Sequence, residues 1–329
     1  MTLVPCPQGL SFARYEIRFR AGADGVLLPP YKGSTFRGGF AGTFRRLVCT
    51  GGAGKCKECL LRHNCPYPLI FESEPPPGSE VLRSFDAIPR PFVLEPSPDP
   101  RTSYSPGETF DFALILFGRA RDFLPYFVVT LDEFSRRGIG KGRKPFALEE
   151  IAVVNPLTGV STVVYQGRDR VVRPRDLSVA AEDIWRRAAD YPLDGLRRIE
   201  VIFLTPTRVT YEGASIRAPE FHAVVRSLLR RVSSLCYFYH GFAYEADFPG
   251  IIQRAGEVRL VRNETFLVTV GRYSSRQARR VPLEGFIGRA VYEGPLEDFL
   301  PLLLLGELIH IGKGTVFGQG KFALRIFAD

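Results

Sequence analysis

"HIGKGTVFGQG", residues 310–320, is the stretch that decides how this chain is read. Four glycines, a histidine and a lysine stand between an apolar run ending at His310 and a final alternating segment, "KFALRIF" at 321–327. Glycine reaches positive φ and lets another backbone come close, and loops of this kind often turn N–H groups toward an anion. The expectation is an anion-binding loop between the last helix and the last strand, with His310 sharing its surface.

Outward from the loop, "PLEDFLPLLLLGELIH" (295–310) reads as a helix, and "ETFLVTVGRYSS" (264–275) and "EGFIGRAVYEG" (284–294) as strands. Upstream lie a helix at 218–242 and a strand at 197–209, which completes a βαββαβ layout. The first half is a distorted copy. It holds a strand at 13–21 and an amphipathic helix from Pro30, in which Phe36, Phe40, Phe44 and Leu47 recur at spacings of three and four. An irregular proline-rich stretch around one short strand follows, then a strand at 109–118, a helix at 120–138 and a strand at 144–154. A second glycine-rich basic loop, "GIGKGRK" at 138–144, takes the place in this copy that 312–320 takes in the other.

The expected fold class is therefore α+β: two tandem ferredoxin-like domains with a cysteine-bearing insertion in the first. Residues 1–154 form the N-terminal domain with its insertion at 49–65, residues 155–195 a linker with one short helix, and residues 196–329 the C-terminal domain with its loop at 312–320.

The chain has 329 residues, 45% of them hydrophobic, enough to bury a substantial core in two domains. Lys and Arg number 44 against 35 Asp and Glu, a formal charge of +9 that suits a polyanionic partner such as nucleic acid. No apolar run approaches the roughly 20 residues that span a bilayer, and the first residues lack the layout of a signal peptide. A cytoplasmic protein without membrane partners is expected.

Cys49, Cys56, Cys59 and Cys65 read C-x6-C-x2-C-x5-C. The central pair can grip a metal from a tight turn and the outer two can close a tetrahedron, so four thiolates suit a structural Zn²⁺ with no position open for water. An iron–sulfur cluster fits the same spacing as the second reading, and metal-free cysteines are the third. His63 is a spare ligand or a loop residue, and Cys6 and Cys236 are ordinary thiols.

"GRYSSRQARRVPLEGFIGRAVYEG" followed by "GELIHIGKGTVFGQGKFAL" resembles the C-terminal domain of the repeat-associated mysterious protein (RAMP) superfamily, and within it the CRISPR-associated endoribonucleases that cut repeat RNA into guide RNAs. "YKGSTFRGGFAGTFRRLVC" with the cysteines and "CPYPLIFE" is similar to the first helix and insertion of one subgroup. The resemblance covers most of the chain. It implies CRISPR repeat RNA as partner, with CRISPR effector subunits as further partners, and cleavage that needs no metal. The substrate's own 2′-hydroxyl would attack the adjacent phosphate and leave a 2′,3′-cyclic phosphate and a 5′-hydroxyl. A non-catalytic RAMP subunit that holds guide RNA in an effector complex is the alternative.

Such a reaction needs in-line geometry, two proton transfers and charge stabilisation of the phosphorane. The family commonly places a histidine base on or near the first helix. This chain departs from that pattern, because no histidine lies between Met1 and Lys55. His310 is the first catalytic candidate, with a packed or capping histidine as its competing reading; His240 is the second, although a capping role is the favoured reading there; His222 is expected to be structural. Tyr31, Lys32 and Arg37, with neighbouring Ser34, could stabilise charge or relay a proton; a solvated helix face and a packed tyrosine are the simpler reading of the same residues. RNA contacts are expected from Arg45 and Arg46, from the "RYSSRQARR" segment through Arg272, Arg276, Arg279 and Arg280, and from the loop through Gly312, Lys313, Gly314, Gly318 and Gly320, which either holds RNA phosphate or shapes the surface on which RNA lies.

Overall fold

In the first half, alternation puts Tyr15, Ile17 and Phe19 on one face of β1 (Ser11–Ala21), where they are buried. β1 pairs antiparallel with β3 (Thr109–Phe117) on one side and β4 (Phe146–Val154) on the other. β2 (Phe92–Pro96), the one short strand expected in the proline-rich stretch, pairs with β3, and β5 (Ser161–Gln166) extends the sheet beyond β4. The order along the sheet is β2-β3-β1-β4-β5. The computed structural model describes residues 3–51, 56–62, 64–72, 88–191, 196–274 and 279–327, with side chains except at 57 and 272–281.

α1 (Gly33–Val48) and α3 (Leu124–Arg137) cover this sheet, with α2 (Pro66–Phe71) beside α1. The three-and-four spacing read in the sequence delivers Phe36, Phe40 and Phe44 into the core with no exposed surface, and each such ring contributes about 1.5–3 kcal/mol. Phe36 stacks on Phe112 with centroids 3.5 Å apart and meets Phe134 edge-on at 5.4 Å. One glycine of α1 has a packing reason: a Cβ on Gly39 would stand 2.2 Å from the Phe134 ring, so this position lets α1 approach α3.

The second half repeats the plan. β6 (Arg198–Thr207), α5 (Phe221–Leu235), β9 (Arg259–Ser274), β10 (Arg279–Glu293), α7 (Leu300–Ile309) and β11 (Phe322–Ile326) follow one another as βαββαβ. A small hairpin of β7 (Thr210–Tyr211) and β8 (Ala214–Ser215) precedes α5, and α6 (Phe248–Ala255) follows it. The sheet order is β9-β10-β6-β11, all antiparallel. This is the same permutation as β2-β3-β1-β4, so both halves are ferredoxin-like. Tyr292, fully buried, ties β10 to α5 by packing on Phe221 and donating to the Pro219 carbonyl at 2.6 Å.

Two compact units result: residues 12–178, and residues 1–11 together with 179–329. Within 155–195, read as a linker, β5 belongs to the first unit and α4 (Ala181–Ala188) to the second. The first residues join the C-terminal unit through Tyr244, whose hydroxyl donates to Pro5 O at 2.7 Å, and through His240. Among the described residues, no helix is long and apolar enough to cross a membrane.

Candidate nucleic-acid interface

The glycine-rich loop is stitched to its own domain. His310 ends α7 with φ +65°, and its backbone N–H still reaches Gly306 O at 2.9 Å. Beyond it, Ile311 N donates to Gly320 O, Lys313 N to Arg208 O, Phe317 N to Gly314 O, Gly318 N to Thr315 O and Gly320 N to Pro206 O, all within 3.1 Å. The glycines are required for these approaches. A Cβ would lie 2.4 Å from Arg208 O at Gly312, 1.9 Å from the Gln319 side chain at Gly314 and 1.8 Å from Ile311 O at Gly320. Gly318 adopts φ +80° and offers its carbonyl to Thr205 Oγ1. The expectation of amides turned toward an anion is corrected for these five, which close the loop on β6 and on itself. What the loop presents outward is the exposed Lys313.

His310 needs the same correction. Its ring is fully buried, with Nδ1 2.9 Å from Gln319 O, so it shares no surface with Lys313. The buried Arg231 donates from Nε to Ile309 O at 2.7 Å, capping the end of α7, and burial pulls its guanidinium down to about 9. His240 closes a π-helical turn after α5. Its Nδ1 lies 3.0 Å from Leu235 O, and its Nε2 lies 3.0 Å from both the N and the O of Ser11. Both ring nitrogens hold structure, which matches the capping alternative. His63 lies outside the described residues.

His222, expected to be structural, stands on the first turn of α5, half-buried, with no hydrogen bond to its ring among the described residues. Its ring meets Tyr211 edge-on at 5.0 Å, and the exposed Arg226, one turn later on the same face, places its guanidinium 5.0 Å from the Tyr211 ring. The same hairpin carries Arg208, whose Nε donates to Ser215 Oγ at 3.0 Å and whose backbone pairs with Lys313. Arg208 thus links the hairpin, with His222 and Arg226 against its Tyr211, to the glycine loop at Lys313. The four-residue spacing of His222 and Arg226 was the available signal in the sequence.

In the first unit, the start and the end of α1 are separate places, about 20 Å apart for a helix of this length. At the start, Lys32 is buried and its ammonium donates to Asp99 O; burial lowers its pKa. Tyr31 is half-buried, and burial raises its phenol far above the ordinary value. Along the helix Arg37 lies over Phe71 and Arg45 over Tyr67, each 5.5 Å from the ring centroid on α2. Arg46 alone of these is exposed, on the last turn. Arg276 lies outside the described residues, and so do the side chains of Arg272, Arg279 and Arg280, although β9 and β10 carry their backbones.

Cys49, Cys56, Cys59 and Cys65 are half-buried thiols. Burial and the nearby Glu72 carboxylate push the Cys56 thiol up, with Cys49 adding to the effect. Among the described residues no three His, Cys, Asp or Glu side chains converge as a metal site, so the thiolates as placed do not form a coordination shell.

Comparison with known proteins follows these two units. Residues 10–177 match a family model for the AF_1859 N-terminal domain, and residues 201–322 match the model of the CRISPR-associated endoribonuclease Cas6. An uncharacterised protein of Archaeoglobus fulgidus is 26% identical over 91% of this chain and 93% of its own length. Among solved structures, a Cas6 (TTHB231) product complex aligns over 95% of this chain and 99% of its own with a TM-score of 0.56 at 15% identity, and Thermus thermophilus Cas6 (TTHB231) gives 0.53 at 14%, covering 96% and 99%. A partial Cas6-RT-Cas1–Cas2 complex aligns over 99% of this chain and 47% of its own, with a TM-score of 0.58 at 11% identity. At these identities the likeness establishes the tandem fold. The chain belongs to the family of the AF_1859 N-terminal domain, and its residues 201–322 match the model of the CRISPR-associated endoribonuclease Cas6.

Proposed function

We propose that this chain binds CRISPR repeat RNA and cuts it without a metal ion, by attack of the 2′-hydroxyl on the adjacent phosphate. The observation that carries this reading is the Cas6 match over 201–322, in the unit that also holds the Lys313, Arg208, Tyr211, His222 and Arg226 surface. Lys313, Arg208 and Arg226 would stabilise the phosphorane, whose charge exceeds that of the ground state, and preorganised cations serve that role well. His222 would move a proton to or from the reacting oxygens, supported by its half-buried place beside Tyr211 and by the engagement of His310 and His240 in structure. Lys32 and Tyr31 hold the start of α1, and the thiolates of 49–65 are assigned to a structural Zn²⁺ on their spacing alone.

One observation favours a second reading. α1 lacks a histidine where the family commonly has one, which suits a subunit that holds guide RNA without cutting it. Incubating the full chain with repeat RNA from its own genome in excess EDTA separates the two. Discrete cleavage within the repeat supports the enzyme; tight binding with intact RNA supports the subunit.

A further inference from the structure

The glycine-rich loop of the first unit is built differently from its C-terminal counterpart. Residues 139 and 144 pair as a hairpin, with Ile139 N reaching Lys144 O at 3.0 Å and Arg143 N reaching Gly140 O at 3.3 Å. Gly140 seats the turn on the body of the unit, since a Cβ there would stand 1.8 Å from Leu27 O. The tip, Lys141, Gly142 and Arg143, is exposed.

Arg143 adopts φ +49°, the left-handed region that glycine or asparagine occupies with less strain. A side chain kept at such a position calls for a use of that side chain. Nearby cations are mostly neutralised: Arg137 binds Glu133 at 2.9 Å, Lys144 binds Asp24 at 3.2 Å, and Arg136 pairs with Asp132. Lys141, Arg143 and Arg46 have no carboxylate within salt-bridge distance among the described residues. Arg46 feels its neighbours: burial first and then the charges of Arg137 and Arg143 lower its pKa, against the smaller opposing effect of the Glu133 carboxylate. The last turn of α1 and this hairpin therefore carry cations with no salt-bridge partner among the described residues, and Arg143 stands close enough to act on Arg46.

We propose that Arg46, Lys141 and Arg143 form a phosphate-binding patch of the first unit that holds the RNA backbone, in addition to the Lys313 surface of the other unit. This rests on the RNA-binding reading above and adds a second contact region to it. Guanidinium groups and an ammonium without acidic partners suit phosphodiester oxygens, and contacts of this kind position RNA without reading its sequence.

The test is the salt dependence of binding to repeat RNA in EDTA, with Lys141→Ala combined with Arg143→Gly. Glycine relieves the positive φ, so the melting temperature should not fall. The slope of log Kd against log salt should shrink by about 1.4–1.8, the loss of two phosphate contacts. A control of equal charge change in the same unit, Arg168→Ala with Arg175→Ala, should keep the wild-type slope. A wild-type slope in the loop variant, or an equal loss in the control, overturns the patch and leaves the hairpin to an acidic protein surface. Wild-type protein that binds no RNA would sink the functional reading, a result distinguishable from the failure of the patch alone.

Discussion

Nδ1 of His310 lies 2.9 Å from the carbonyl oxygen of Gln319 with the ring fully enclosed, so this histidine fastens the glycine loop to the end of α7. Replacing it with alanine should destabilise the C-terminal unit by about 1–3 kcal/mol, the cost of leaving a buried carbonyl without its partner. Cleavage of saturated RNA at a temperature where the variant stays folded should keep the wild-type rate. Denaturant melts and single-turnover kinetics check the two halves of this expectation; a rate loss of about 10² or more without loss of stability would return His310 to the reaction.

Gly320 and Gly213 both have positive φ, +75° and +83°, but only Gly320 faces backbone, with Ile311 O 1.8 Å from a would-be Cβ. Gly213→Ala should cost about 1 kcal/mol from backbone strain alone. Gly320→Ala should cost clearly more, because the loop must leave β6 to admit the methyl group. Comparable melting temperatures for the two variants would contradict the close packing of the loop.

The contrast between these glycines shows what was legible. Alternation in 264–275 and 284–294, and the spacing of Phe36, Phe40 and Phe44, revealed both βαββαβ repeats because burial of one face imposes those periods. A glycine, however, signals that something comes close without saying whether it is a ligand or the chain's own carbonyl. That ambiguity made the loop read as an anion cradle and drew His310 into the site. The contacts of Pro5 with Tyr244 and of Ser11 with His240 depend on residues more than 200 positions apart, which no local pattern encodes.

His222→Ala should slow single-turnover cleavage by about 10²–10⁴, the usual range for lost acid–base catalysis, with RNA affinity nearly unchanged. Arg226→Ala should weaken affinity as well, because it removes a cation beside Tyr211. Equal rates for wild type and His222→Ala would exclude this ring and move the search to Tyr31, Lys32 and Arg37.

The C-x6-C-x2-C-x5-C spacing predicts one bound zinc, lost in the Cys56→Ser, Cys59→Ser double variant together with stability of the N-terminal unit. Elemental analysis of protein prepared without oxidation decides it. Iron with labile sulfide would select the cluster reading, and neither metal would leave the thiols metal-free.

The central claim, cleavage by the RNA's own 2′-hydroxyl, is tested most directly with repeat RNA carrying a single 2′-deoxy substitution at the scissile nucleotide, in excess EDTA. The account predicts that unmodified RNA is cut to a 2′,3′-cyclic phosphate and a 5′-hydroxyl while the substituted RNA is bound and left intact. Cleavage of the substituted RNA, or a product with a 3′-hydroxyl that forms only when divalent metal is restored, would contradict it.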